Sequence, residues 1–234
     1  MGAGRRAADR LREPARRHHA GGTRMTLPLV AVTQRVELAP RDTGGPERRD
    51  ALDQAWSRFL AAAGFRALPI PNHVATALAL FTGLPVRGLL LTGGNNLMAY
   101  DGDAPERDAT ESALLGAARV RRLPVIGVCR GMHVLQHTCG VRLVPVEGHI
   151  SAAQSVRSIF GERVVNSYHR FGARESAPEL VAWATAEDGV VKAVRHATEP
   201  LVGIMWHPER LTPFAEEDLG LFRSTFATRA ELAA

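Results

Sequence analysis

Short apolar runs alternate with amphipathic stretches along most of this chain. The apolar runs that predict strands cover residues 29–32, 65–70, 88–92, 125–128 and 201–205. The stretches whose apolar residues recur at helical spacing cover residues 47–63, 74–81, 106–121 and 216–232. Strands that alternate with helices form a mostly parallel central sheet, because each connecting helix packs on one of its two faces. The pattern therefore predicts an α/β fold with helices on both faces of the sheet.

The segment after residue 140 departs from this alternation. Residues 142–146 predict a strand, and residues 147–160 predict a short hairpin. Residues 180–186 and 190–195 predict a strand pair joined at Asp188-Gly189, since Asp-Gly is a common hairpin turn. We therefore expect a small antiparallel hairpin region beside the parallel sheet.

The strand at residues 125–128 ends in a cysteine. Cys129 is flanked by Gly127 and Gly131, and helix-compatible residues follow it to Gln136. A strand, a tight turn with the nucleophile at its tip and a helix are the parts of a nucleophile elbow, here with Cys in place of Ser. The N-terminus of the following helix faces the thiol, and its positive dipole end favours the thiolate. Cys129 is therefore the candidate nucleophile.

A nucleophile of this kind needs a base, and the base needs a group that orients it. The strand at residues 201–205 runs into Trp206-His207-Pro208-Glu209. With one residue between them, His207 and Glu209 can lie on one side of a loop. We expect Glu209 to hold the His207 ring while His207 takes the Cys129 proton.

The Gly93-Gly94 pair ends another predicted strand at the same edge. In parallel α/β sheets the ligand lies at the carboxyl ends of the strands, where Gln34-Arg35, Gly93-Gly94-Asn95, Cys129 and His207 all fall. Glycines in such a place are the default for a tight turn. Because the turn lies at the predicted active edge, we favour an oxyanion hole, formed by the N–H of Gly94 (or Gly93) and the N–H of Arg130.

Composition limits the class of protein. The chain has 234 residues, of which 45% are hydrophobic, enough for one sizeable α/β domain. No apolar run approaches the ~18 residues of a membrane span, so no membrane partner is expected. Residues 1–24 carry seven arginines against Asp9 and Glu13, a balance of +5 that equals the net charge of the whole chain. The rest of the chain is therefore neutral overall.

The basic segment has two interpretations. It could contact nucleic acid or acidic partners, or it could be a disordered extension. We favour the second and expect no nucleic-acid partner. The predicted organisation is an extension over residues 1–25 and one domain over residues 26–234; residues 1–24 could also be an upstream start.

The two cysteines, Cys129 and Cys139, do not make a disulfide framework, and a reducing cytoplasm fits them. Neither Cys-x-x-Cys nor His-x-x-x-His spacing occurs around Cys129 or His207, so we expect no metal site and no cofactor.

Gly-Val-Cys129-Arg-Gly and Trp-His207-Pro-Glu209 together resemble the class I glutamine amidotransferase-like superfamily over residues 27–212. The resemblance implies a flavodoxin-like fold and a catalytic triad of Cys129, His207 and Glu209. Cys-Arg-Gly at the elbow, with no second domain to receive ammonia, resembles the peptidase C26 γ-glutamyl hydrolase branch. Within that branch, Thr33-Gln34-Arg35, the Asp53 and Trp56 positions and the compact length look like the γ-glutamyl-CDP-amidate hydrolases.

The resemblance also implies substrate contacts. The superfamily often carries Ser-x-His along the glutamyl pocket, and this chain has Ser167, Tyr168 and His169. Asn95 and His133 are further candidates, although His133 stands where the family usually has Gln. Arg35, Arg48 or Arg49 could meet phosphates of a leaving group or belong to a solvated face.

The implied function is hydrolysis of the γ-glutamyl amide of a small conjugate, with release of glutamate. The favoured substrate is γ-glutamyl-CDP-amidate, in phosphoramidate synthesis for surface polysaccharides. The alternatives are γ-glutamyl-γ-aminobutyrate in putrescine breakdown and a glutaminase subunit that delivers ammonia to a separate synthetase. A binding module without activity is disfavoured, because Cys129, His207 and Glu209 are all present. Neither the leaving group nor the oligomeric state follows from the sequence.

Overall fold

Residues 27–227, the part of the chain that this computed structural model describes, form thirteen strands and five α-helices. The strands are β1 Leu29–Thr33, β2 Arg35–Ala39, β3 Glu47–Ala51, β4 Arg66–Ile70, β5 Val86–Leu91, β6 Val125–Val128, β7 Val144–Pro145, β8 Ile150–Ser158, β9 Gly161–Tyr168, β10 Phe171–Gly172, β11 Leu180–Ala186, β12 Val191–His196 and β13 Leu201–Ile204. The α-helices are α1 Gln54–Ala62, α2 Val74–Gly83, α3 Pro105–Val120, α4 Arg130–Thr138 and α5 Glu216–Phe226. Short 3₁₀ turns cover Met98–Tyr100 and Pro208–Arg210.

Nine strands form one sheet in the order β4-β1-β5-β6-β13-β12-β11-β8-β9. From β4 to β13 the neighbours are parallel, and from β13 to β9 they are antiparallel. The carboxyl ends of β5, β6 and β13 therefore meet at one edge, with β6 in the middle. The predicted α/β fold with its central sheet is confirmed, and antiparallel strands extend that sheet on one side.

Alternate residues of β5 show why helices cover both faces. Leu90 packs in one buried cluster with Trp56 of α1 and Phe222 of α5. Leu89 and Leu91 point the other way and pack in a second cluster with helix residues such as Leu114 of α3. Because successive strand residues face opposite sides of a sheet, this apolar run requires cover on both sides.

The prediction of one helix over residues 47–63 is wrong in its first part. Glu47–Ala51 is β3, which pairs antiparallel with β2 in a separate two-stranded sheet. The helix begins only after Asp53, whose side chain caps it by accepting from the Ala55 N–H at 2.9 Å. The polar run at 47–50 has no apolar residue to bury on a helix face, so pairing with β2 decides its structure.

The hairpin predicted within residues 147–160 is longer than expected. It is formed by β8 and β9, which pair from Ser158↔Gly161 to Ile150↔Tyr168 and lie at one end of the sheet. The predicted strand pair at 180–186 and 190–195 is confirmed as β11 and β12. The last helix, predicted to reach residue 232, ends at Phe226. The predicted extension over residues 1–25 lies outside the described residues.

No helix within residues 27–227 is long and apolar enough to cross a bilayer.

Candidate active site

Cys129 lies between β6 and α4 with φ 53° and ψ −107°. A positive φ is costly for a residue with a side chain and marks a functional turn. The glycines beside it make the turn possible: a Cβ on Gly127 would collide with the Gly131 carbonyl, and a Cβ on Gly131 would collide with the Leu91 carbonyl. The structure thus forms the elbow that the sequence predicts.

His207 comes from the neighbouring strand, just after β13. Its Nδ1 lies 2.7 Å from Glu209 Oε1, and both side chains are buried. The other ring nitrogen, Nε2, lies on the side of Cys129, since a Cβ on Gly93 would lie 3.4 Å from His207 Nε2 and 3.5 Å from Cys129 Cβ. The structure therefore brings together all three residues of the predicted triad.

The electrostatics of this group favour a thiolate. Burial raises the pKa of the Cys129 thiol, but the charge of His207 and hydrogen bonds from its ring and from the Arg130 N–H outweigh burial and bring the pKa below its usual value. Burial likewise lowers the pKa of His207, whereas Cys129 and Glu209 raise it to about 9. The two opposite shifts favour a thiolate–imidazolium pair.

Asn166 is a positioning residue that the sequence interpretation did not assign. From β9, its Nδ2 donates to the His207 carbonyl at 2.8 Å, and its Oδ1 accepts from the His207 N–H at 2.7 Å. Its side chain therefore holds both backbone groups of His207. The signal was present, since Asn166 immediately precedes the Ser-x-His segment, but no local pattern shows which backbone it binds.

Gly93 lies against both reacting side chains. A Cβ at this position would lie 2.6 Å from His207 Cε1 and 3.5 Å from Cys129 Cβ. Gly94 has φ 85°, and a Cβ there would lie 2.9 Å from Arg35 Cδ. The predicted oxyanion segment is therefore beside the thiol. Glycine suits position 93 because a Cβ would collide with His207, and it suits position 94 because φ is left-handed there.

A cavity of about 560 Å³ opens beside Cys129. Asp101 and Asp103 lie in its wall, and so do Arg170 and His169. Its other lining residues are Gly94, Asn95, Asn96, Arg130, His133, Ile150 and Tyr168. The cavity thus has both acidic and basic groups within reach of the thiol.

The predicted substrate contacts divide into two groups. Asn95, His133, Tyr168 and His169 line the cavity. Ser167 does not line it; its hydroxyl donates to the His149 carbonyl at 2.9 Å. Asn95 lines the wall, but its side chain already makes hydrogen bonds within the protein: Oδ1 accepts from the Val36 N–H, and Nδ2 donates to the Val36 carbonyl.

The predicted phosphate-contacting arginines are all paired with carboxylates. Arg35, Arg48 and Arg49 make ion pairs with Glu37, Glu106 and Glu47, respectively. None of these three arginines lines the 560 Å³ cavity. All three arginines lie on the β2–β3 hairpin. Arg48 and Arg49 are therefore on a strand and not on the helix that was predicted over residues 47–63.

The His133 and His169 rings share one acceptor. His133 Nε2 and His169 Nδ1 both donate to the Phe171 carbonyl, at 3.0 and 2.8 Å. Burial is the main reason why the pKa of His133 falls to about 4 and that of His169 to about 2. Both rings are therefore neutral near pH 7.

Lys192 of β12 lies behind these rings. Its Nζ is 2.6 Å from His169 Nε2 and 2.9 Å from Ser167 Oγ, and the side chain is buried. Burial lowers its pKa to about 8. We name His133, His169 and Lys192 the basic wall. Lys192 interrupts the apolar run Val190-Val-Lys-Ala-Val, and this pattern was the sequence signal for a buried charge at this position.

Solved structures share this architecture. A glutamine amidotransferase from Thermotoga maritima aligns with a TM-score of 0.60 at 13% identity, over 85% of this chain and 84% of that one. A glutamine amidotransferase from Methylobacillus flagellatus aligns with a TM-score of 0.53 at 16% identity, over 83% of this chain and 75% of that one. At these identities the likeness shows the fold, which is the α/β architecture that these glutamine amidotransferases share.

The family follows from the sequence match. The model of the Peptidase C26 family matches residues 28–146 and 144–209. The chain belongs to this family of glutamine amidotransferase-like hydrolases.

Curated relatives add further similarity. The chain is 28% identical over 186 residues to the γ-glutamyl-CDP-amidate hydrolase of Campylobacter jejuni. The aligned region covers 78% of this chain and 90% of that one. The chain is also 28% identical over 198 residues to the γ-glutamyl-γ-aminobutyrate hydrolase of Escherichia coli O157:H7, covering 68% and 78%. It is 35% identical over 133 residues to an aminodeoxychorismate synthase of Streptomyces griseus, covering 53% of this chain and 18% of that one.

Proposed function

We propose that this protein is a cysteine-dependent hydrolase that cleaves the γ-glutamyl amide bond of a small conjugate and releases glutamate. The observation that carries the proposal is the placement of Cys129 next to the His207–Glu209 pair and beside a cavity that has both acidic and basic groups in its wall.

In the first step the Cys129 thiolate attacks the γ-carbonyl carbon, and the carbonyl oxygen becomes an oxyanion. The N–H of Arg130 and the Gly93–Gly94 segment stabilise this oxyanion. The intermediate then collapses, the C–N bond breaks, and the His207 imidazolium gives its proton to the departing nitrogen. A thioester of Cys129 with the glutamyl group remains.

Water completes the cycle. Neutral His207 takes a proton from the water molecule that attacks the thioester carbonyl. The second oxyanion collapses, the C–S bond breaks, and glutamate leaves as the thiolate is restored. Glu209 holds the His207 ring through both steps and stabilises its charged form.

The walls of the cavity suit a glutamyl group, which carries an α-ammonium and an α-carboxylate. The carboxylates of Asp101 and Asp103 can accept from the ammonium. Arg170 and the charge of Lys192 behind His169 favour the carboxylate. His133 then has an acceptor to offer rather than a donor, since its Nε2–H already bonds the Phe171 carbonyl.

We infer that γ-glutamyl-CDP-amidate is the favoured substrate, with a role in phosphoramidate synthesis for surface polysaccharides. The similarity to the Campylobacter jejuni enzyme, which extends over 90% of its length, supports this choice. Arg170 lines the cavity, and Arg210 lies 5.0 Å over the ring of Tyr168, another lining residue. A diphosphate leaving group would meet these two guanidinium groups.

The second candidate is γ-glutamyl-γ-aminobutyrate, which the similarity to the Escherichia coli O157:H7 enzyme supports. A glutaminase that supplies ammonia to a separate synthetase remains the third candidate, since part of the Streptomyces griseus synthase is also similar.

A substrate panel tests the proposal. Glutamate release is measured from γ-glutamyl-CDP-amidate, γ-glutamyl-γ-aminobutyrate and glutamine, for the full chain and for Cys129→Ala. We expect the nucleotide conjugate to be cleaved fastest, and the substitution to lower turnover at least about 10⁴-fold, because the nucleophile is removed. Cys139→Ala is the matched control and should keep its activity.

Each other outcome has a meaning. Preference for the aminobutyrate conjugate would replace the nucleotide substrate but keep the hydrolase. Slow cleavage of glutamine alone would favour the ammonia-delivering subunit. Full activity of Cys129→Ala, or no glutamate from any of the three compounds, would overturn the proposed function.

A further inference from the structure

Helix α3 carries a buried arginine that does not touch the thiol. Arg107 has no exposed surface, and its guanidinium is held by Glu111 one turn further along, with Nε to Oε1 at 2.9 Å. Burial lowers the pKa of Arg107 to about 10, so the group is charged at neutral pH. A buried charge of this kind is costly unless every donor is used.

The remaining Arg107 donors bind the oxyanion segment. Nη2 donates to the Thr92 carbonyl at 2.8 Å, and Nη1 donates to the Gly94 carbonyl at 2.9 Å. Peptide units are planar, so these two bonds orient the 92–93 and 94–95 units. The unit between them, which carries the Gly94 N–H, is then held at both ends. Without such anchors, a double glycine is the least restrained segment that a chain can have.

The same carboxylate reaches the other side of the thiol. Glu111 Oε2 accepts from Arg130 Nη1, and Asp108 accepts from Arg130 Nη2. Arg130 begins α4 directly after Cys129, and its N–H helps to lower the pKa of the thiol. Glu111 therefore joins one arginine that orients the Gly93–Gly94 segment to another whose backbone is the second donor. We name Arg107, Asp108, Glu111 and Arg130 the ion-pair network.

We propose that the ion-pair network is the positioning unit of the oxyanion hole, with Arg107 and Glu111 as positioning residues that set the distance between its two backbone donors. The proposal rests on the acyl-transfer chemistry proposed above, and it goes beyond that chemistry by assigning a role to two side chains that never contact substrate. It also explains the arginine after the nucleophile, since its guanidinium pairs with Glu111 and Asp108 in this network.

The test separates formation of an oxyanion from reactivity of the thiol. The probes are p-nitrophenyl acetate, which acylates Cys129 through a tetrahedral oxyanion, and iodoacetamide, which alkylates the same sulfur without one. Neither probe requires recognition of a glutamyl group, so the result does not depend on the substrate panel. The variants are Arg107→Lys, which keeps the charge but replaces three forked nitrogens by one, and Glu111→Gln, which removes the shared charge.

We expect acylation by p-nitrophenyl acetate to fall about 100-fold in Arg107→Lys, the size of losing one oxyanion donor. Alkylation by iodoacetamide should stay within about twofold of the unchanged protein. Glu111→Gln should shift the same ratio in the same direction by a smaller factor. With a γ-glutamyl substrate, kcat should fall while KM changes little, because the loss is confined to the transition state.

Glu199→Gln is the matched control, since it removes the carboxylate that pairs with Arg119 at the far end of α3, at 2.7 and 2.8 Å. It should leave both rates unchanged. Equal falls of acylation and alkylation in both network variants would mean a structural role only and would overturn the proposal. Unchanged acylation in Arg107→Lys would overturn it as well. Failure of the wild-type protein on every γ-glutamyl substrate would instead refute the proposed function.

Discussion

Buried charge lies on both sides of Cys129, but it is balanced on one side and not on the other. In the ion-pair network two arginines meet two carboxylates, and Arg107 also donates to the Thr92 and Gly94 carbonyls. In the basic wall the charge of Lys192 meets only the neutral partners His169 and Ser167. Two negative groups that Lys192 does not hydrogen-bond still raise its pKa: Asp188, which pairs with His149 and Arg174, and the Cys129 thiolate.

This difference in charge balance suggests different roles for the ion-pair network and the basic wall. A balanced set of buried charges gains nothing from a further ion, and its hydrogen bonds restrain the backbone groups that it contacts. A buried cation without a paired carboxylate is stabilised when an anion enters the neighbouring cavity. The network therefore holds geometry for the reaction, whereas the basic wall favours a substrate carboxylate. Changes on the two sides should affect kcat and KM separately.

The largest expected effect on the network side comes from Gly93→Ala. The added methyl would lie 2.6 Å from His207 Cε1, so either the imidazole or the oxyanion segment must move. We expect kcat to fall ~10²–10³-fold, with little change in KM. Steady-state kinetics on the preferred γ-glutamyl substrate measures this, and Gly116→Ala, on α3 with open space around it, is the control. Activity within threefold of wild type would mean that Gly93 is not part of the site.

Asn166→Ala tests the residue that holds the His207 backbone, which belongs neither to the ion-pair network nor to the basic wall. It removes both side-chain hydrogen bonds to the His207 backbone. We expect kcat to fall about 30-fold, since two buried hydrogen bonds are lost and the imidazole is no longer held against the thiol. Asn166→Asp keeps the acceptor for the His207 N–H but loses the donor to the His207 carbonyl. Its kcat should therefore lie between the kcat of the wild-type protein and that of Asn166→Ala. Equal activity of all three proteins would show that β13 alone positions His207.

Lys192→Met tests the basic wall. It removes a buried charge but keeps an unbranched side chain of similar length. We expect KM for a γ-glutamyl substrate to rise about 10-fold, while kcat changes less than threefold. Lys192→Arg, which keeps the charge, is the comparison, and a thermal unfolding curve of each variant checks the fold. A fall in kcat with unchanged KM would place Lys192 with the network rather than with substrate binding.

The smallest effect is in the pH dependence, and its sign follows from the two pKa values. Lys192 is charged below its pKa of about 8, so KM should rise by a few-fold as pH increases through that value. His207 is charged below its pKa of about 9, and kcat should fall above it, because the leaving nitrogen loses its proton donor. Lys192→Met should abolish the rise in KM and keep the fall in kcat. A rise in KM that persists in Lys192→Met would show that another group causes it.

Local pattern was sufficient for the elements that carry the nucleophile. The strand–cysteine–helix turn needs small residues on both sides of Cys129, and Gly127 and Gly131 are visible in the sequence as they are in the structure. The spacing of His207 and Glu209 after a strand was equally informative, because two residues of one short turn stay close whatever the rest of the fold does. The β2–β3 hairpin was missed for the opposite reason. Residues 47–51 contain nothing that distinguishes strand from helix until β2 is placed beside them.

The sequence by itself therefore determined the α/β class, and it predicted the turn at Cys129, the pairing of His207 with Glu209, and the double glycine at the carboxyl edge of the sheet. Only the tertiary structure decided which buried charges meet. Arg107 and Arg130 lie on different helices and share Glu111, and Lys192 reaches His169 from another strand. The spacing of apolar residues predicts which face of a helix or strand is buried, but it does not predict which residue of another element that face contacts. That partner is chosen by the need to satisfy each buried charge, which exists only once the elements have packed.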